Sequence, residues 1–171
     1  YSHSAHPADL WIHAVSLGES ISVTPFIEKL LEQQFNLVIT TMTVTGSHYI
    51  QKHFKHRVQH VYLPYEWPGA LSRFFKTFQP QKGFIVETEL WPNLLYHAHH
   101  YPIELILING RLSERSYQKY RWIRPLTRSM LNQFAIINAQ TPSDAKRFTE
   151  LGAPASIVRV SGNLKFDIPI N

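Results

Sequence analysis

The stretch Leu10-Trp11-Ile12-His13-Ala14-Val15-Ser16-Leu17-Gly18-Glu19 indicates the fold class, because a run of apolar residues passes directly into a polar turn that contains glycine. The run predicts a buried strand over residues 10–15, and the sequence after the turn predicts a helix over residues 20–33. Short apolar runs and longer helical patterns continue to alternate along the rest of the chain.

This alternation predicts six further strands and five further helices. The strands fall at 36–41, 57–63, 82–87, 104–109, 134–139 and 157–161, and the helices at 46–55, 68–78, 92–100, 113–132 and 142–151. Strands that alternate with helices imply βαβ crossovers, and nearly continuous apolar strands imply helices on both faces of the sheet. We predict one doubly wound, mainly parallel, Rossmann-like α/β domain over residues 1–166, with residues 167–171 beginning a linker.

The composition excludes several classes of protein. The chain has 171 residues, of which 44% are hydrophobic and 17% charged, so it can bury a core and is not disordered. It has no cysteine, which excludes disulfide frameworks, thiolate metal sites and cysteine nucleophiles. No apolar run reaches the ~18 residues that span a bilayer, so any membrane contact of this chain is expected at a surface. The net charge of +5 suits an anionic partner, whether nucleic acid, anionic lipid or a phosphorylated metabolite.

The loops after the predicted strands form the candidate site, because ligands of open parallel sheets bind beyond the carboxyl ends of the strands. Ser16, Gly18 and Glu19 follow the first strand at a helix start, where the helix dipole favours an ionised carboxylate. Glu19 in that place can act as a general base on a hydroxyl. The alternative is that Glu19 is only a first-turn helix residue, and spacing alone favours this alternative.

Other strand ends carry further polar candidates. Glu87 and Glu89 are two residues apart, so they can share a proton or hold a sugar hydroxyl; equally, one can cap the next helix while the other meets an arginine. Arg111 suits phosphate binding through its planar fork, or an ion pair with a nearby glutamate. The loops also contain Thr45, Gly46 and Asn109, and Lys165 near the end of the chain is either an interdomain ligand or a solvated lysine.

Several familiar motifs are missing or weak. Neither GxGxxG nor GxxxxGK[ST] occurs, which counts against dinucleotide-binding and P-loop proteins. His53, His56 and His60 have near-helical spacing, but no HExxH motif accompanies them and we expect no zinc site. His13 lies in the middle of an apolar strand, where a packed, hydrogen-bonded core histidine is expected.

One segment mixes basic and aromatic residues, and we call it the basic-aromatic segment. The segment can bind phosphates at a membrane surface, or it can bind a nucleic acid. Alternatively it is an ordinary amphipathic helix with aromatic core residues and solvated arginines. No nucleic-acid-binding motif supports the binding of nucleic acid. The segment contains Arg115, Tyr117, Lys119, Tyr120, Arg121, Trp122, Arg124 and Arg128.

Six motifs occur in order along nearly the whole chain: WIHAVSLGE (11–19), TTMTVTG (40–46), YLPYE (62–66), ETELWPN (87–93), NGRLSERS (109–116) and SGNLKFD (161–167). Together they resemble the N-terminal domain of bacterial 3-deoxy-D-manno-octulosonic acid (Kdo) transferases. ETELWPN and RLSxRS are the most specific. Small departures, such as Trp67 and Gly110, affect peripheral contacts rather than the resemblance.

The resemblance implies the acceptor-binding half of a two-domain GT-B glycosyltransferase, with a donor domain after residue 171 and a membrane anchor before residue 1. The family transfers Kdo from CMP-Kdo to the tetraacyl lipid A precursor of Gram-negative lipopolysaccharide, at the cytoplasmic face of the inner membrane. Transfer inverts the anomeric centre and needs no metal or other cofactor. The implied partners are therefore CMP-Kdo, the lipid A precursor and the membrane surface, without nucleic acid.

The resemblance also implies residue roles. Glu19 matches the family's catalytic base, and Glu89, or Glu87, is the second acidic residue of the site. The implied acceptor contacts are Ser16, Gly18, Thr45, Gly46, Glu87, Asn109, Arg111 and Arg115, with Lys165 on the donor side. The isolated domain is expected to be inactive, because half of the cleft is missing. The alternatives are another GT-B transferase that acts on a lipid-linked acceptor, and a non-catalytic anion-binding α/β module.

Overall fold

The computed structural model of the chain describes residues 5–64 and 67–162, and within them seven strands alternate with eight α-helices. This confirms the predicted doubly wound, parallel α/β architecture. The strands are β1 (Leu10–His13), β2 (Leu37–Thr41), β3 (Gln59–Tyr62), β4 (Lys82–Val86), β5 (Glu104–Gly110), β6 (Phe134–Ala139) and β7 (Val158–Val160). The helices are α1 (Leu17–Ser22), α2 (Thr24–Glu32), α3 (Val44–Phe54), α4 (Pro68–Phe78), α5 (Pro92–His99), α6 (Glu114–Trp122), α7 (Arg124–Leu131) and α8 (Pro142–Glu150).

All seven strands form one parallel sheet in the order β3-β2-β1-β4-β5-β6-β7. The chain builds outward from β1 to β3 and then returns to the other side of β1 with β4. Crossovers therefore change direction between β1 and β4, and the loops after these two strands diverge from a shared crevice. In open α/β sheets this switch point is where ligands bind.

Two apolar layers cover the sheet, because successive side chains of a strand point to opposite faces. Trp11 and Ile85 pack into the layer formed with α4, α5, α7 and α8. Ile12 and Phe84 pack into the layer formed with α2 and α3. The four side chains are completely buried, which explains why the strands read as nearly continuous apolar runs.

Two helices predicted as continuous are each divided in two. The first is α1 and α2, separated at Val23, and the second is α6 and α7, separated at Ile123. In both cases a proline, Pro25 or Pro125, lies in the first turn of the second helix. Proline lacks an N–H and suits a helix start, so it begins a new helix instead of continuing the old one. No helix in the described part of the chain is long and apolar enough to span a membrane.

Candidate active site

Glu19 lies in the first turn of α1, directly after β1, and only 7% of its surface is exposed. Its Oε1 accepts a hydrogen bond from Ser16 Oγ and its Oε2 accepts one from the backbone N–H of Val15, both at 2.8 Å. The backbone N–H of Glu19 in turn donates to Ser16 Oγ at 3.4 Å. The first-turn interpretation is therefore correct for the local structure, and the same contacts fix the orientation of the carboxylate.

Glu87 and Glu89 follow β4, the neighbour of β1, and act electrostatically on Glu19. Burial raises the pKa of Glu19, the hydrogen bonds from Ser16 and Val15 lower it, and the charges of Glu89 and Glu87 raise it. Burial also raises the pKa of Glu89, the Trp91 side chain lowers it, and Glu87 raises it. Three carboxylates thus share one environment, and two of them hold protons more readily than an exposed glutamate, as is common in acid–base sites.

The ends of β4 and β5 have unusual backbone conformations. Glu87 has a φ of 58° and Asn109 a φ of 54°, in the left-handed region that few non-glycine residues occupy. The two ends are joined because the Glu87 N–H donates to the carbonyl of Ile108 at 2.9 Å. Non-glycine residues in such conformations cluster at functional sites.

The expectation that strand periodicity places Glu87 and Glu89 on one face does not apply, because β4 already ends at Val86. The alternative that one of them caps the next helix is wrong: the N-cap of α5 is Trp91, and no side chain makes a capping hydrogen bond there. The two glutamates are instead brought together in the wall of a cavity.

A cavity of about 260 Å³ lies beside these glutamates. Arg111 lines it with an exposed side chain that forms no ion pair with a described carboxylate, which removes the ion-pair alternative within this part of the chain. The hydroxyl of Thr88 donates to the Arg111 carbonyl and joins the two loops. The cavity is lined by Glu87, Thr88, Glu89, Arg111, Ser113, Ser116 and Tyr120.

Sequence reasoning missed Tyr120 as a site residue, although it lies in the basic-aromatic segment. Tyr120 lines the cavity from α6 and packs partly against the apolar core. Burial raises the pKa of its hydroxyl, and the charge of Glu89 raises it further. The sequence signal was the segment itself, but nothing in it distinguishes a cavity-lining tyrosine from a core tyrosine.

Sequence reasoning also missed two residues of α8 that hold the loop after β5. The buried Leu112 donates its backbone N–H to Asp144 Oδ1 at 2.8 Å, and its carbonyl accepts from Arg147 at 2.6 Å. Thr141 caps α8 by accepting from the Asp144 N–H. The spacing of Thr141 and Asp144 is that of a helix N-terminus, and it is the signal that could have identified Asp144. No such signal marks Arg147.

The other predicted site residues are more scattered. Gly46 lies in the first turn of α3, where a Cβ would be 3.3 Å from the backbone carbon of Ser16, so the glycine lets α3 approach the loop that holds Glu19. Gly18 and Thr45 are exposed. Arg115 is exposed in the first turn of α6 and does not line the cavity. Lys165 lies outside the described residues.

His13 is a packed core histidine, as predicted. It is completely buried, its Nδ1 is 2.9 Å from Thr40 Oγ1, and burial lowers its pKa to about 4. His53 instead lies 3.6 Å from a carboxylate oxygen of Glu28 at the surface. Over residues 5–64 and 67–162, no three histidine, aspartate or glutamate side chains are grouped as metal ligands would be.

The basic-aromatic segment divides into two parts. Tyr117 and Tyr120 pack against the core, as in an ordinary amphipathic helix. At the junction of α6 and α7, however, Trp122 is 89% exposed and Ile123 and Leu126 are nearly half exposed. Core packing does not account for these three side chains.

The fold resembles that of UDP-GlcNAc 2-epimerases. The crystal structure of UDP-GlcNAc 2-epimerase from Neisseria meningitidis bound to UDP-GlcNAc superposes with a TM-score of 0.65, covering 90% of this chain and 46% of the epimerase. The two sequences are only 15% identical, so this likeness concerns the fold.

Sequence comparison is more specific. The profile of the family described as 3-deoxy-D-manno-octulosonic-acid transferase (kdotransferase) matches residues 1–168. The 3-deoxy-D-manno-octulosonic acid transferase of Haemophilus influenzae is 36% identical over 96% of this chain and 39% of its own length. That of Bordetella pertussis is 34% identical over 95% of this chain and 39% of its own length. The chain thus spans about two fifths of these relatives, and it belongs to the 3-deoxy-D-manno-octulosonic-acid transferase family.

Proposed function

We propose that residues 1–166 form the acceptor-binding domain of an inverting GT-B glycosyltransferase, with a linker beginning at 167–171 and leading to a donor domain. The whole enzyme transfers Kdo from CMP-Kdo to the tetraacyl lipid A precursor at the cytoplasmic face of the inner membrane. The observation that carries this proposal is a buried, hydrogen-bonded Glu19 at the switch point of the sheet, with Glu87 and Glu89 beside it. The identity of the transferred sugar, Kdo, is inferred from membership of the family.

Glu19 is the general base in this mechanism. Each of its carboxylate oxygens accepts one hydrogen bond within the protein and keeps a lone pair for a substrate proton. The carboxylate takes the proton of an acceptor hydroxyl as that oxygen attacks the anomeric carbon of Kdo and the bond to the CMP phosphate breaks. Its raised pKa strengthens it as a proton acceptor. CMP leaves as an anion, so the step assigns no role to a strong acid or a cofactor.

The cavity lined by Glu87 and Glu89 is the proposed site of the acceptor headgroup. Arg111 offers a guanidinium that no described carboxylate neutralises, which suits a phosphate of the acceptor. Glu87 and Glu89 can accept hydrogen bonds from sugar hydroxyls. Arg115 would act from the rim, and Lys165 from the donor side.

Exposed apolar and cationic side chains at the junction of α6 and α7 form what we call the α6–α7 surface. It combines Trp122, Ile123 and Leu126 with the exposed Arg121 and Arg124. Apolar side chains that enter the headgroup region and arginines that meet anionic lipid together favour binding at a membrane surface. We assign this surface to the membrane that holds the lipid acceptor.

The test compares wild type with Glu19→Gln in the full-length enzyme, using CMP-Kdo and the tetraacyl lipid A precursor. Loss of a general base is expected to slow transfer by about 10²–10⁴-fold while acceptor binding persists. Glu32→Gln, on the exposed part of α2, is the matched control and should be fully active.

Each contrary outcome has a distinct meaning. A nearly unimpaired Glu19→Gln enzyme would overturn the assignment of Glu19 as the base but would not affect the assignment of the substrates. A wild-type enzyme that transfers nothing from CMP-Kdo would point to another nucleotide sugar. Salt-sensitive binding of nucleic acid without any transfer would favour a binding module.

A further inference from the structure

Trp91 makes a close contact with one of the site glutamates. Its indole Nε1–H donates to Glu89 Oε2 at 2.6 Å, a short hydrogen bond of the kind that charged acceptors form. Trp91 is also the N-cap residue of α5, and Pro92 follows it in the first turn. The proline fixes its own φ and restricts the backbone of the residue before it, so the backbone of Trp91 has little freedom.

The indole of Trp91 rests on a buried framework. The ring of His13 meets it edge to face, with the centroids 6.3 Å apart and the planes at 89°. His13 Nδ1 lies 2.9 Å from Thr40 Oγ1, which also accepts a hydrogen bond from Trp11 Nε1 at 2.8 Å. His13, Thr40 and Trp11 are completely buried in β1 and β2. The indole of Trp91 therefore packs against side chains in the core of the sheet.

Several charged or titratable groups surround Glu89 in the site. Glu87 precedes it in the same loop, the charge of Glu89 acts on Glu19 of α1, and Arg111 and Tyr120 line the same cavity from the end of β5 and from α6. Burial and the charge of Glu87 favour protonation of Glu89. The N–H of Trp91 acts in the opposite sense, because it donates to the ionised oxygen.

We propose that Trp91 is a positioning residue that holds the Glu89 carboxylate in one orientation, from which its negative charge acts on Glu19. This proposal rests on the proposed function, in which Glu89 belongs to the catalytic site. An ionised Glu89 increases the proton affinity of Glu19 by like-charge repulsion, and so improves the base. Trp91 thereby acts on the reaction through Glu89 without touching the substrate.

The first test measures Glu89 directly in this 171-residue chain. Carboxyl carbons of glutamate are labelled with ¹³C and titrated by NMR in wild type, in Trp91→Phe and in Trp67→Phe. Trp91→Phe keeps an aromatic ring but removes the N–H, so the pKa of Glu89 is expected to rise. Trp67 is 76% exposed and serves as the matched control, for which no change is expected. Equal Glu89 titrations in all three proteins would overturn the proposal.

A second measurement needs no folded Trp91→Phe protein. The indole ¹⁵N–¹H signal of Trp91 in wild type should move with the ionisation of Glu89, and this movement should disappear in Glu89→Gln. An indole chemical shift that does not change as Glu89 titrates would equally overturn the proposal.

The third readout is the pH profile of the full-length enzyme. In Trp91→Phe the acid limb of kcat should move upward by roughly one pH unit, because hydrogen bonds to charged groups have about that effect. Glu89 then stays protonated to higher pH, and the form with both glutamates ionised, which contains the stronger base, is reached only at that higher pH. A purely structural role would lower kcat at every pH and leave the limb in place, which would contradict the proposal. If the wild-type enzyme transfers no Kdo, the proposed function fails, while the two NMR measurements still decide the role of Trp91.

Discussion

Ser16 and Glu19 bind each other at the start of α1: the Ser16 hydroxyl donates to Glu19 Oε1 at 2.8 Å, and the Glu19 backbone N–H donates to Ser16 Oγ at 3.4 Å. One serine therefore caps a helix and orients the proposed base. Because its hydrogen bond lowers the pKa of Glu19, Ser16 also influences the pH at which that base is ionised.

Ser16→Ala should have two separable effects. Loss of the cap should lower the free energy of unfolding by about 1 kcal/mol, measured by urea denaturation. Loss of the hydrogen bond should raise the pKa of Glu19 and move the acid limb of the full-length enzyme to higher pH. Ser16→Thr keeps a hydroxyl and should restore both properties. A destabilised Ser16→Ala enzyme with an unchanged acid limb would show that Glu19 does not control that limb.

The raised pKa values of Glu19 and Glu89 also predict how stability depends on pH. A carboxyl whose pKa is higher in the folded state contributes stability that is fully present below its ordinary pKa of 4.5. That contribution is lost as the pH rises through the folded-state pKa. Glu19→Gln and Glu89→Gln remove this loss, so their free energies of unfolding should improve relative to wild type as the pH rises above 4.5 and through the folded-state pKa of each carboxyl.

The control for this experiment is Glu28→Gln, which should behave in the opposite way. The hydrogen bond from Arg57 at 2.7 Å lowers the pKa of Glu28, so its contribution is present at neutral pH and is lost on acidification. Urea denaturation at several pH values measures all three variants. Parallel stability curves for Glu19→Gln and wild type would show that Glu19 ionises without cost in the folded protein.

The fold could be predicted from sequence because its signals are local. Apolar runs identified all seven strands, and the range predicted for β6 is the observed Phe134–Ala139. The divisions at Val23 and Ile123 were missed, although Pro25 and Pro125 mark them. A proline is compatible with both the first turn of a helix and a kink, so the apolar period outweighed it.

The candidate site was predictable only in part, because it depends on strand order. Each loop could be identified as a strand end, but nothing local places β4 beside β1. That neighbourhood is what brings Glu89 to Glu19. The hydrogen bond from Trp91 to Glu89 and the contact of Asp144 with Leu112 depend on side-chain packing between elements, and the sequence motifs alone do not encode it.

Replacement of Gly46 by a residue with a Cβ is expected to disturb the candidate site. A Cβ there would lie 3.0 Å from Thr43 Oγ1 and 3.3 Å from the backbone carbon of Ser16, so Gly46→Ala must push α3 away from the loop that holds Glu19. Overpacking of this kind costs about 1–3 kcal/mol, and we expect a matching loss of transfer activity.

Gly69 in α4 is the matched control. A Cβ at this position meets nothing within 4 Å, so Gly69→Ala should leave activity unchanged and increase the free energy of unfolding by about 0.5–1 kcal/mol. Thermal unfolding and transfer assays on both variants decide the matter. A Gly46→Ala enzyme as stable and active as Gly69→Ala would mean that α3 and the Glu19 loop adjust freely.

The α6–α7 surface is expected to bind vesicles of anionic phospholipid. Trp122→Ser should weaken binding of the chain to vesicles of anionic phospholipid at every salt concentration, because it removes an apolar side chain that is 89% exposed. Arg124→Ser should weaken binding mainly at low salt, because each arginine near such a surface contributes about 1 kcal/mol that salt screens. Co-sedimentation with vesicles at two salt concentrations separates the two effects.

Trp67→Ser provides the control for composition, because Trp67 is 76% exposed but lies at the start of α4, outside the α6–α7 surface. If Trp67→Ser and Trp122→Ser weaken binding equally, exposed tryptophan in general, and not this surface, accounts for the affinity. If neither variant changes binding and Arg124→Ser does, the surface acts through charge alone. The acyl chains of the acceptor would then need another apolar contact.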